Sequence, residues 1–246
     1  MAKTLEALLK AEKENKMNYL KPVRQTETAL APLSLTRDLV QPSPDWCKEL
    51  KTRLQTQFMN TKIQTMLFTS IAHGSGCSST TAGFATSLAK TFRNRVLLVD
   101  VNMRTPGIHK FFQEESTVGL VDLFSRRGPK IEKKMAQNLY VITCNQNVGE
   151  EIDGFFGSNR FMEFLSKMRE NFDYVILDGP PVPACSESLV IGAKVDGVIL
   201  TLESGKARRS VALKAKNEIE RSGGKFLGVV LNKREYFIPK WIYKRL

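Results

Sequence analysis

The chain has 246 residues, 42% hydrophobic and 25% charged, with 37 Lys and Arg against 25 Asp and Glu for a net charge of +12. That balance excludes a chain disordered throughout and leaves room for one α/β domain of roughly 200 residues plus a short extra segment. The basic excess points to an anionic partner (nucleotide, nucleic acid, acidic protein or inner membrane leaflet) or to a solvated basic surface.

Cys47, Cys77, Cys144 and Cys185 lie far apart and share no metal-like spacing with His73 and His109. This argues against a disulfide framework or a structural zinc site. The first residues, MAKTLEALLKAEKENK, lack the apolar core of a signal peptide. No run of about 18 apolar residues occurs. The expectation is a cytoplasmic protein.

In chain order, residues 1–18 read as a helix with a short stripe of Leu5, Leu8 and Leu9. Residues 19–44, punctuated by Pro22, Pro32, Pro42 and Pro44, read as a linker or arm. A domain spans 45–235, and an aromatic-basic tail spans 236–246. Within the domain a helix is predicted over 45–60, with Asp45 as its cap. Strands are predicted over 66–72, 96–101, 139–144, 174–182, 197–204 and 226–232. Helices are predicted over 80–92, within 109–127, and over 159–172, 188–195 and 207–223, the last stopped by Gly223 and Gly224. Near-continuous Val/Ile/Leu runs are typical of strands buried on both faces. Alternation of such strands with helices predicts a doubly wound, mostly parallel α/β sheet flanked by helices.

Ligands of such sheets sit outside the carboxyl ends of the strands, and three ends carry suggestive residues. The first strand runs into Gly74-Ser75-Gly76-Cys77-Ser78-Ser79 and then a helix. Glycines let a backbone wrap phosphate, and a helix N-terminus offers free N–H groups. This is the setting of a P-loop, except that Cys77 stands where the signature requires lysine. The second end is VLLVDVNMRTP, with Asp100 and Asn102; the third is YVILDGPPV, with Asp178 placed to hold magnesium.

Taken together, these segments resemble the bacterial tyrosine kinases of polysaccharide synthesis, autokinases related to deviant Walker A ATPases. The resemblance covers about residues 40–235. GSGCSST resembles the family's phosphate loop, VLLVDVNMRTPGIHKFF its second acidic motif, GLVDLF (119–124) its G-L-x-D-x-L segment, and YVILDGPPV its Walker B-like strand. DWCKELKTRLQTQF resembles the family's helix of protomer contacts, with Asp45, Lys48 and Lys51 on its three charged positions. The resemblance implies a P-loop NTPase fold. It implies ATP or ADP held by Gly74, Ser75, Gly76, Cys77, Ser78 and Ser79, with Asn232 at the adenine. It also implies Mg2+ held by Ser78, Asp100 and Asp178.

Three departures qualify these implications. A lysine at position 77 would place a charge near the terminal phosphates, worth roughly 4 kcal/mol at about 4 Å and an effective dielectric near 20; a thiol does not. Asn102 lacks the charge of the second Asp of the family's D-x-D pair. Only Tyr236 and Tyr243 occur in the tail as candidate phosphoacceptors, set among Phe237, Ile238, Trp241 and Ile242. Cys77 itself is either a small inert filler or, at a helix N-terminus, a reactive thiol of depressed pKa.

The expectation is a pseudokinase of exopolysaccharide or capsule biosynthesis and export. It would lie at the inner face of the plasma membrane and serve as a regulatory or assembly subunit. Its partners would be an inner-membrane chain-length or export protein and further copies of itself or an active homologue. The alternative is a working ATP-dependent tyrosine autokinase in which a neighbour's cation, or Arg104 or Lys110, replaces the missing lysine. A chromosome- or pole-positioning ATPase relative fits the charge but not the GLVDLF and D-x-P-P segments, so no nucleic-acid partner is expected.

Overall fold

The computed structural model describes residues 44–59, 61–112, 134–136, 138–144 and 154–233. The expected helix 1–18, the linker 19–44 save its last residue, the GLVDLF segment, and the tail with Tyr236 and Tyr243 lie outside the described residues.

Seven strands form one sheet in the order β3-β4-β2-β5-β1-β6-β7. They are β1 (Thr65–Ser70), β2 (Val96–Asp100), β3 (Lys134–Ala136), β4 (Leu139–Ile142), β5 (Tyr174–Asp178), β6 (Gly197–Glu203) and β7 (Phe226–Asn232). Every pairing is parallel except that of the short edge strand β3 with β4. The sequence reading missed β3, because three residues carry too little periodicity to register.

Alternate residues along each central strand serve opposite faces. Leu67, Leu97, Val99, Val175, Leu177, Val198 and Leu200 face one core, with α4 (Asn159–Asn171), α5 (Glu187–Gly192) and α6 (Arg209–Arg221) over them. Met66, Phe68, Val96, Leu98, Ile176 and Ile199 face the other, under α1 (Pro44–Gln57) and α2 (Cys77–Lys90). A short α3 (His109–Phe112) follows β2. β1, β2 and β6 are thus buried on both sides, as their unbroken apolar runs predict.

The ends of the helices follow local chemistry. α6 closes on Gly223 at φ 86°, with Gly224 N–H donating to Ile219 O at 2.9 Å and Gly223 N–H to Glu220 O at 3.1 Å. Those two bonds make a Schellman motif, as the paired glycines predict. α2 starts earlier than its apolar pattern suggests, at Cys77, because Gly76 takes the left-handed conformation at φ 79° and accepts the first helical bond from Thr80 N–H at 3.0 Å.

Beneath the sheet, at the amino ends of β1 and β6, lies a polar knot that the sequence does not announce. Asp196 accepts from Gln64 N–H at 2.9 Å, Thr65 N–H at 2.7 Å and Arg169 at 2.9 Å. Gln64 Nε2 donates to the carbonyls of Arg169 and Phe172 at 2.7 and 2.6 Å, which ties the end of α4 to the start of β1.

Candidate functional site

β1 and β5 are neighbours whose connections leave in opposite senses. β1 leads into α2 on one face, and β5 leads into α5 on the other. The divergence opens a crevice at their carboxyl ends, the usual ligand position in open α/β sheets. A cleft of about 770 Å³ lies there, walled by the 72–79 loop on one side and by residues 102–107 with Lys110 and Phe111 on the other.

The loop is held in shape from behind. Ser75 Oγ donates to Ala72 O at 2.8 Å, while Ser79 Oγ and Thr80 Oγ1 donate to Gly76 O at 2.9 and 2.8 Å. Asn232 Nδ2 donates to Ser75 O at 3.1 Å, and Lys233 Nζ donates to Gly74 O at 2.6 Å. Gly76 has no room for a side chain, since a Cβ there would collide with the Asn232 amide. Carbonyls are thus drawn outward, and the helix N-terminus keeps its free N–H groups for an anion.

Asp100 and Asp178 are register partners on β2 and β5, and both are fully buried. Asp100 Oδ1 accepts from Asn102 N–H at 3.0 Å, and its Oδ2 accepts from Gly107 and Ile108 N–H at 2.9 and 3.0 Å. Burial pushes its pKa up to about 6, against the pull of those three N–H groups. Asp178 Oδ1 accepts from Thr81 Oγ1 at 3.1 Å, and Oδ2 has no hydrogen-bond partner among the described residues. Burial and the neighbouring Asp100 raise Asp178 to about 7, partly offset by the adjacent Ser78, Cys77 and Thr81 side chains.

Cys77 is half-buried as a residue, but its thiol faces inward, 3.9 Å from Thr81 Oγ1 and beside Asp178. Burial first, then the Asp178 charge, push the thiol well above its usual range. Burial and the nearby carboxyl oppose the pull of the helix N-terminus and favour the inert filler of the two readings of Cys77.

Asn102 Oδ1 accepts from Thr105 N–H at 3.2 Å and Thr105 Oγ1 at 3.3 Å, so its side chain caps the turn that frames the cleft. Arg104 pairs with Glu187 at 3.1 Å across the mouth. His73 is exposed on the loop itself. Away from the cleft, Lys48 is exposed on α1, which also carries Asp45. Lys51 turns onto its own domain, 3.3 Å from Asn94 Oδ1 and 3.7 Å from the Phe92 ring centre.

The structure therefore brings the loop, Asn232, Asp100, Asn102 and Asp178 around one crevice, and leaves Lys48 and Lys51 outside it. Sequence reasoning missed Thr81 and Lys233. Thr81 stands one helical turn after Cys77, a spacing that could have flagged it. Lys233 had no signal, because only the pairing of β6 with β7 carries it to the loop.

A mostly parallel sheet with a glycine-rich loop opening a helix after the interior strand β1, and acids ending the next two strands on one side of it, β5 and β2, defines a protein of the P-loop NTPase type. No protein-family model matches the chain. It is 30% identical to the tyrosine-protein kinase CpsD of Streptococcus agalactiae serotype III (strain NEM316) over 74% of this chain and 79% of that one. Among solved structures it is similar to the chimerical protein CapA2B2, at TM-score 0.71 and 24% identity, covering 85% of this chain and 88% of that one. It is also similar to the septum site-determining protein MinD of Pyrococcus horikoshii OT3, complexed with Mg-ADP, at TM-score 0.57 and 17% identity over 74% and 76% of the two chains. The chain belongs to the bacterial tyrosine-protein kinase family.

Proposed function

We propose that this chain is a catalytically impaired tyrosine kinase of capsule or exopolysaccharide synthesis, acting as a regulatory or assembly subunit at the inner face of the plasma membrane. The single observation that carries the reading is Cys77. Where the chemistry calls for a fixed positive charge, the chain has a thiol, drawn toward Thr81 and Asp178, that carries none. In phosphoryl transfer, catalysis is mostly positioning and charge stabilisation, so a missing cation on the transferring group costs roughly 10³–10⁵ in rate, by analogy with arginine fingers. Asn102 adds to the deficit: its carboxamide caps a turn and carries no charge.

The cleft is still suited to ATP or ADP, with the 74–79 loop as the phosphate cradle and Asn232 at its flank. Magnesium fits what the residues offer. Among the described residues, two buried carboxyls lie side by side without a nearby cation, and Asp178 Oδ2 is unpartnered. Ser78, Asp178 and, after giving up a backbone bond, Asp100 would hold the ion. Bound there, magnesium would supply positive charge to the terminal phosphates. The same pair of carboxyls supports the second reading, a slow autokinase that phosphorylates Tyr236 or Tyr243.

No helix among the described residues is long and apolar enough to cross a membrane. Membrane proximity is therefore assigned to a partner, a chain-length or export protein, assisted by the +12 charge. α1, with Asp45 and Lys48, is the proposed contact between copies. Calorimetric titration with ADP and ATP, with and without magnesium, tests the site, and a tyrosine-phosphorylation assay tests the chemistry. Nucleotide binding without phosphorylation, with activity appearing in Cys77→Lys/Asn102→Asp, is the expected result. Robust phosphorylation by the natural chain would transfer the assignment to the autokinase.

A further inference from the structure

The cleft has a charge pattern of its own. Among its lining residues are His73, Arg104 and Lys110, and no Asp or Glu. The acids lie beneath it, fully buried. Of the three basic residues, His73 belongs to the loop, and Arg104 is tied to Glu187. Lys110 stands exposed on the opposite wall, and no described residue pairs with it.

The wall that carries Lys110 is rigidly placed. Asp100 Oδ2 holds the N–H groups of Gly107 and Ile108, and Lys110 N–H donates to Gly107 O at 3.3 Å. Gly107 packs directly on the phosphate loop, where a Cβ would fall 2.6 Å from Ser78 Oγ. The carboxyl at the end of β2 thus fixes the start of α3 against the N-terminus of α2, and Lys110 on α3 lines the cleft.

Strand order indicates which part of a nucleotide this wall meets. The loop leaves β1, and the carboxyls end β5 and β2, on the side away from β7. A metal held by Asp178 and Asp100 would draw the terminal phosphates of a nucleotide toward β2, the side on which Lys110 stands. From this we infer that Lys110 is a phosphate-binding cation of this cleft, helping to hold the terminal phosphate of a bound nucleotide from the opposite wall without taking the loop position that a lysine at 77 would have on the transferring group. The inference rests on the cleft being a nucleotide site.

Titration with fluorescent ATP and ADP analogues tests it, using the full chain and its Lys110→Ala, Lys110→Arg, Arg104→Ala, Cys77→Lys and Cys77→Lys/Lys110→Ala variants, with melting temperatures checked in parallel. Lys110→Ala is expected to weaken ATP about tenfold and ADP markedly less, without a change in melting temperature. Lys110→Arg should keep most of the affinity, and Cys77→Lys should restore ATP binding in the double variant. Equal affinity in Lys110→Ala and the natural chain, or an equal loss on ATP and ADP, overturns the assignment. If the natural chain does not bind but Cys77→Lys does, Lys110 is overturned and the nucleotide cleft stands. If neither binds, both fall.

Discussion

At the amino ends of β1 and β6, Asp196 accepts two backbone N–H groups and the Arg169 guanidinium while its side chain stays about 21% exposed. At the carboxyl ends of β2 and β5, Asp100 and Asp178 are wholly buried, lie side by side in register, and have no cation beside them among the described residues. The lower carboxyl has its counter-charge within the chain and serves the fold. The upper pair lacks one, so it stores unfavourable electrostatics that a bound cation would relieve. Burial alone does not separate a structural carboxyl from a functional one; the supply of counter-charge does.

The largest expected effect breaks the lower knot. Asp196→Ala removes one acceptor from three donors and should cost about 2–4 kcal/mol in urea unfolding. A smaller loss would mean that water already shares the site. Next is Gly76→Ala, which combines a left-handed φ with a collision at Asn232 and should cost about 1–3 kcal/mol. Asn232→Gly in the same chain should recover the steric part, leaving the strain of the dihedral.

Asp178→Asn should act in the opposite direction. Burial and the adjacent Asp100 raise the Asp178 carboxyl to about 7 in the folded chain, from about 3.9 when unfolded. Between about pH 4 and 7 the unfolded chain therefore releases this proton first, and the natural protein loses stability as pH rises, levelling off above 7. The Asn variant should gain on the order of 1 kcal/mol at pH 8 and little at pH 4.5, with a flatter melting-temperature profile. Millimolar magnesium should raise the melting temperature of the natural chain and not of the variant. Destabilisation at pH 8 would mean that the upper pair is structural after all. The smallest effect belongs to Arg104→Ala, which breaks the pair between exposed Arg104 on the cleft wall and the mostly buried Glu187 of α5 and should change stability by about 1 kcal/mol or less.

Much of this was legible beforehand. The apolar runs at 66–72, 96–101, 174–182 and 197–204 became four central strands, because strands buried on both faces need unbroken apolar sequence. Gly223 and Gly224 marked the end of α6 through a motif that depends only on local dihedrals. The loop at 74–79 and the acids Asp100 and Asp178 stood at strand ends, where a doubly wound sheet puts its ligands. Illegible were the inward turn of Cys77, the Asn232 and Lys233 bonds to the loop, and the Gln64–Asp196–Arg169 knot.

Sequence alone therefore determined the order and type of the elements apart from the short edge strand β3, the fold class, and the absence of a lysine at position 77. These follow from hydrophobic period, turn residues and residue identity, all of which act over a few neighbours along the chain. Tertiary structure alone decided which carboxyl gained a counter-charge and which did not. Asp196 meets Arg169 because α4 ends over the start of β1, and Asp100 meets Asp178 because β2 and β5 pair in that register. Charge acts through space rather than along the chain, so the character of each acid was settled only when the strands came together.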